Sequence, residues 1–342
     1  MASESATRVR VEGARFLSPA TLDAVFAVLS LLMVTGIALD ARAHAQGISF
    51  AEEGFLTPEH AFFYSMFLVI AVLLAGVTFS NRREGKSFVE AVPTGYGVGV
   101  IGVLIFGFGG VGDFFWHSTF GFEQGVEALT SPSHISIATG GVLFLSSPLR
   151  AAWKRSGTPS SLSMGAALLS GLLAFALVGL FAGLINPIMR VAVFVEYPAA
   201  VQLGVAGFMT FPMLLVGVGL AMARRFELPF GSLTVVFLGP GLIGLAVNPE
   251  YAPLLLAFVA AGVVADALVH FAPPTPGRGL SLRLFGAAVP LAFAGTYFAV
   301  AAGVIPEPVV WSVHVWTGAV TLAALGGVIV TYIAVPDATT ER

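Results

Sequence analysis

Two stretches of this chain set one carboxylate and two imidazoles at matching spacings. Asp113-Phe-Phe-Trp-His117 is followed by a loop carrying Glu123 and Glu127 and then by Ser131-Pro-Ser-His134. The same order stands earlier as Asp40-Ala-Arg-Ala-His44, a loop carrying Glu52 and Glu53, and Thr57-Pro-Glu-His60. His44 to His60 is 16 positions and His117 to His134 is 17. Residues four apart share a helix face, so each Asp-x-x-x-His aims a carboxylate and an imidazole at one place. In each second half the hydroxyl residue suits an N-cap and the proline the first helical position, which puts His60 and His134 in a first turn. A hairpin then brings that turn beside the end of the preceding helix. Asp40, His44 and His60 form one three-donor set, and Asp113, His117 and His134 the other.

Five Asp and six His over 342 positions would give roughly 0.1 Asp-x-x-x-His pairs by chance, whereas three occur, the third being Asp266 and His270. A plain hydrogen bond at a helix end explains one such pair, but it needs no second histidine. With no cysteine in the chain, thiolate sites, iron–sulfur clusters and disulfides are excluded. Two imidazoles and a carboxylate suit catalytic zinc, and copper or oxygen-activating iron equally. The donors alone leave the metal open.

Such residues need helices to hold them, and the composition says where those helices lie. The chain is 57% hydrophobic and 10% charged, with a mean hydropathy of +0.92, more apolar surface than a soluble core of this size can bury. We expect an all-α, polytopic transmembrane bundle. About 20 apolar residues span a bilayer, and ten stretches qualify, near 20–40, 57–79, 92–117, 131–148, 163–185, 199–222, 228–247, 250–271, 282–303 and 309–334. With the N-terminus in the cytoplasm, the loops between them place fourteen of the sixteen Lys and Arg inside and only Arg42 and Arg190 outside. That asymmetry predicts cytoplasmic N- and C-termini in a plasma (inner) membrane, and puts both donor sets at the outer boundary. The expected divisions are a cytoplasmic segment 1–19, duplicated metal hairpins over 20–148, six further spans over 149–335 and a tail 336–342.

An Asp-x-x-x-His with Trp before the His, then an acidic loop and Ser-Pro-Ser-His heading the next helix, resembles the C subunit of copper membrane monooxygenases, the particulate methane and ammonia monooxygenases. In that family an Asp-His-His set binds copper within the membrane, and a neighbouring set with Asn for Asp can bind another. Asp113, His117 and His134 match the first set, supported by Trp116 and Ser131-Pro132-Ser133; Asp40, His44 and His60 would be the related second. The resemblance covers about a third of the chain. It implies copper as cofactor, Asp113, His117 and His134 as the catalytic set, a small apolar substrate arriving through the bilayer, an electron donor, and partner membrane subunits or a homo-oligomer. It implies no nucleic acid.

Other residues read more plainly. Asp266 and His270 are expected to make a helix-end hydrogen bond, and His314 to anchor a helix between Trp311 and Trp316. Met209 and Met213 read as packing, and Gly107 to Gly112 as close helix contacts. Glu123 and Glu127 suit either acceptors that orient the histidines or a solvated face. The connection around Arg190, Glu196 and Tyr197 could lie along the surface as a lid. Two other functions use the same donors. Copper transport or delivery would need ligands strung through the membrane, for which Met209, Met213, Asp266 and His270 are the candidates. A zinc-dependent membrane hydrolase would need Glu123 or Glu127 as base.

Overall fold

The computed structural model describes residues 17–46, 55–121, 123 and 125–334, all helix and connecting turn with no strand among them. Ten apolar helices carry the architecture: α1 Pro19–Ala45, α2 Pro58–Arg82, α3 Gly97–Phe120, α4 Pro132–Lys154, α5 Ser161–Phe181, α6 Pro198–Ala223, α7 Ser232–Val247, α8 Pro249–Phe271, α9 Gly279–Gly303 and α10 Val313–Ala334. Nine of them are long and apolar enough to cross a membrane. The tenth, α7, has 16 residues and a length of about 24 Å. The protein is an all-α, multi-pass membrane protein, and its outward faces carry side chains such as Leu68, Phe108 and Ile333, each more than 60% exposed. Glu52 and Glu53 lie outside the described residues, as do Arg8, Arg10 and Arg15.

The hairpin signals act as their chemistry suggests. Thr57 Oγ1 accepts from His60 N at 3.2 Å and Ser131 Oγ from His134 N at 3.4 Å, each with a proline at the next position. α3 runs one turn past His117 and stops at Gly121, whose φ of 83° closes the helix in the region glycine tolerates. Asp113 and His117 are therefore inside the helix rather than at its last residue.

Contacts at the ends show how the chain alternates. Arg155, just after α4, reaches Asp23 in the first turns of α1, with Nη2 donating to Oδ1 at 3.0 Å. Trp153 packs edge-on to Phe226, and Arg224 Nη1 donates to Ala334 O at 3.1 Å. The start of α1 and the ends of α4, α6 and α10 thus share one end of the bundle. The opposite end gathers the α1–α2 and α3–α4 hairpins, the connection between α5 and α6, and Asn248 after α7. α7 passes between these two ends despite its length, which gives ten alternating passes and places both ends of the described chain on one side.

Two apolar cores share α5. Phe26, Tyr96, Phe106, Phe144 and Leu177 fill the first, among α1 to α5. Phe208, Phe211, Phe258, Phe293 and Tyr297 fill the second, among α6 to α10, with Phe175 of α5 against them. Pro212, Pro240 and Pro290 lie inside α6, α7 and α9, where neighbouring helices support the backbone they disturb.

Candidate metal centre

The hairpin ends project seven ionisable side chains into one buried cluster. Asp113 lies at its centre. Its Oδ2 accepts from Tyr64 Oη at 3.1 Å, and its Oδ1 stands 3.3 Å from His117 Nε2 and 3.2 Å from His134 Nε2. Asp113 Oδ1 and His134 Nδ1 are both buried and make no hydrogen bond. A carboxylate oxygen shut off from solvent is costly unless a cation or a donor meets it, and so is an ionisable group among apolar helices.

The other donors surround that core. His117 Nδ1 lies 3.0 Å from Glu123 Oε2 and donates to Gly121 O at 3.3 Å, which turns Nε2 toward Asp113. His60 Nδ1 meets Thr57 Oγ1 at 3.2 Å, and its Nε2 is 3.7 Å from Asp40 Oδ1. His44 Nδ1 donates to the carbonyl of Asp40 at 3.0 Å and lies 3.6 Å from Asp40 Oδ2. Phe55 stacks on His60 with ring centroids 5.1 Å apart and reaches His117 at 5.9 Å.

The two donor sets therefore do not stand apart as two sites. Their histidines interleave, with His60 and His117 ring centroids 6.2 Å apart. Two groups bring one ligand atom from each member within 4.8 Å of the others: His60, Asp113 and His117, and His117, Glu123 and His134. Asp40 and His44 belong to neither group. A metal with ligands near 2.05 Å in tetrahedral geometry has ligand atoms about 3.3 Å apart, the separation that Asp113 Oδ1 keeps from both Nε2 atoms. Among the described residues each of these two three-donor groups fits a metal ion, and Asp113 joins His134 as a close pair.

The remaining sequence candidates separate cleanly. Glu123 is buried against His117, whereas Glu127 is exposed. Asp266 does make a helix-end hydrogen bond, but to the start of α7 rather than to His270: it accepts from Leu233 N at 2.9 Å, Thr234 N at 3.0 Å and Thr234 Oγ1 at 2.7 Å. His270 and His314 are exposed. Met213 packs against Gly326 of α10. Tyr64 and Phe55 were not singled out from the sequence, although Tyr64 stands one helical turn beyond His60, a spacing that carries the signal.

A cavity of about 420 Å³ adjoins the cluster. Asp40, His44, His60, Asp113 and His134 line it together with apolar residues of α1, α2, α4 and α5 and with Arg190. A second cavity of about 590 Å³ lies at the opposite end, beside Arg224, Glu227 and His270, and among the described residues it has no metal-ligating group of three. Comparison with known proteins finds no matching family model, no matching curated protein and no matching solved structure.

Proposed function

We propose that this chain is a membrane metalloprotein that holds copper at Asp113, His117 and His134, with His60 as a further donor, and oxidises a small apolar molecule at the outer face of the membrane. Asp113 carries the proposal: a buried carboxylate oxygen stands at ligand-to-ligand distance from two imidazole nitrogens. Copper rather than zinc or iron follows the resemblance of the Asp-His-His hairpin to the C subunit of copper membrane monooxygenases. The outward placement follows the Lys and Arg bias.

The protein's own residues have distinct tasks. Tyr64 takes one oxygen of Asp113 and leaves the other directed at the histidines. Glu123 and Gly121 O hold the Nδ1 edge of His117, which raises the basicity of Nε2 and fixes the ring. Phe55 covers His60 and His117. When bound, the copper would supply one-electron chemistry with dioxygen. In a monooxygenation one oxygen atom enters a C–H bond and the other leaves as water, consuming two electrons and two protons from a donor, so an electron-donating partner belongs to this proposal.

Two placements weigh against the competing functions. Glu123, the base a zinc hydrolase would use, faces His117 instead, and Glu127 is exposed. Transport would need ligands deeper in the bundle, but Asp266 is committed to α7 and Met213 to packing.

Metal analysis of detergent-purified protein tests the proposal. We expect copper, lost in a His117→Ala, His134→Ala double variant, lowered by His60→Ala alone, and largely retained by His44→Ala. Zinc in its place would redirect the assignment to hydrolysis. No metal after reconstitution would reduce the cluster to a polar network between helix ends. With copper present, dioxygen uptake driven by a quinol completes the test.

A further inference from the structure

We infer that the cavity beside the metal centre binds a medium-chain amphiphile with one anionic head, the head on Arg190 and the hydrocarbon along α4 and α5. This narrows the apolar substrate of the function proposed above to a hydrocarbon chain that carries one charged head, and rests on that proposal for the chemistry, but not for the binding.

The lining divides by character. Ile37, Phe63, Ile137, Leu177, Leu180 and Phe181 supply the apolar lining, the metal-centre donors much of the polar lining, and Arg190 is the only Lys or Arg among the described residues that line it. About 420 Å³ is at the small end of ligand-sized cavities, which suits a medium chain rather than a whole lipid. Arg190 is exposed and forms no ion pair among the described residues. A guanidinium offers a planar fork that a carboxylate matches with two hydrogen bonds.

The backbone that carries Arg190 is held by several distant elements. It ends the short helix Pro187–Arg190, and Val191 follows with φ 38° and ψ 38°, a left-handed conformation that a β-branched residue adopts only under constraint. The constraint comes from side chains on four sides. Asn186 Nδ2 donates to Pro240 O at 3.0 Å, Asn248 Nδ2 to Ile188 O at 2.9 Å and Met189 O at 3.0 Å, Tyr297 Oη to Pro187 O at 3.0 Å, and Trp311 Nε1 to Ala192 O at 3.0 Å. Val310 N adds a backbone bond to Val193 O at 2.9 Å. The second half of the bundle thus fixes the backbone that carries Arg190 beside a cavity that the metal-centre donors also line.

A carboxylate on a hydrocarbon chain and the phosphate of a bilayer lipid offer the same head chemistry, and binding of radiolabelled octanoate separates them. The protein is placed in phosphatidylcholine nanodiscs and measured metal-free and copper-loaded. We expect saturable octanoate binding in both states, roughly tenfold weaker binding of octanol, a similar loss with Arg190→Gln, and partial recovery with Arg190→Lys. Ala41→Phe, which fills the cavity from α1, should weaken octanoate binding without lowering the melting temperature; if that variant is unstable, Ala128→Phe fills it from the α3–α4 connection. Equal binding of octanol and octanoate, or an unchanged Arg190→Gln, overturns the inference. So does octanoate binding that survives cavity filling but is displaced by phosphatidylglycerol, which would make Arg190 a lipid-head anchor. Octanoate binding in a protein that takes up no copper would overturn the metal assignment alone, and copper uptake without octanoate binding would overturn this inference alone.

Discussion

Asp113 illustrates how one side chain can be prepared for a metal. Tyr64 donates to Oδ2 at 3.1 Å and leaves Oδ1 between His117 and His134. Removing that donor in Tyr64→Phe frees the carboxylate to rotate, and Glu123→Gln weakens the hold on His117 Nδ1. Each change should lower metal affinity about 10- to 100-fold while the protein still folds, as measured by competition with a chromogenic chelator. Unchanged affinity in both would mean that these residues serve packing and not the metal. His44→Ala provides the contrast, because His44 is hydrogen-bonded to its own helix at Asp40 O and stands outside both three-donor groups.

The helices position these side chains by close approach. α3 and α4 meet through glycines: a Cβ on Gly140 would lie 2.4 Å from Phe106 N and 2.6 Å from Gly102 O. Small residues allow such contact where apolar driving force between helices is absent. Gly140→Ala should push α4 from α3, costing about 2 kcal/mol and separating His134 from Asp113. We expect a lower melting temperature in detergent together with reduced metal content; a stable variant with full metal content would show that the helix spacing has slack. α7 depends on a different device. Asp266 accepts three hydrogen bonds from its first turn, so Asp266→Ala leaves buried donors unmatched and should cost about 1 to 3 kcal/mol, with octanoate binding and metal content tracking only the folded fraction. Stability equal to the parent in a thermal scan would show that water replaces the carboxylate.

Across the whole molecule, the two ends of the bundle separate function from architecture. Far from the metal centre, Asp23 is fully buried and held by Arg155, by Tyr96 Oη at 2.9 Å and by Ser163 Oγ at 3.1 Å. This network ties α1 to α4, α5 and the start of α3. Asp23→Ala leaves Arg155 without its partner, and breaking a buried pair from one side costs about 3 to 5 kcal/mol. The expected result is a large fall in thermal stability with metal content per folded molecule unchanged. Loss of metal at full stability would mean that the two ends are coupled. The division of labour also gives the later helices a role: α7, α9 and the turn before α10 supply Asn248, Tyr297 and Trp311 to the segment around Arg190, while α1 to α4 supply the donors.

Much of this protein is legible without coordinates. Apolar stretches of spanning length, Ser/Thr-Pro starts and Asp-x-x-x-His pairs are local patterns, and helix geometry turns them directly into spans, caps and shared faces, as at Thr57, His60 and Ser131. Helix ends were less legible, because α3 continues to Phe120 until Gly121 releases it, and nothing in the apolar run before it marks that residue over its neighbours. The grouping of donors was not legible at all. The duplicated pattern reads as two hairpins with two sites, but His60 meets Asp113 and His117 because long side chains of α2 reach α3, Tyr64 to Asp113 and Phe67 to Phe106, whose ring centroids are 4.5 Å apart. Arg190 became part of the site for the same reason: the donors that line the cavity with it, from Asp40 to His134, are more than fifty residues away in sequence. Periodicity specifies which face of a helix a residue occupies, whereas which other face it meets depends on side-chain packing between distant segments, and only the folded bundle resolves that.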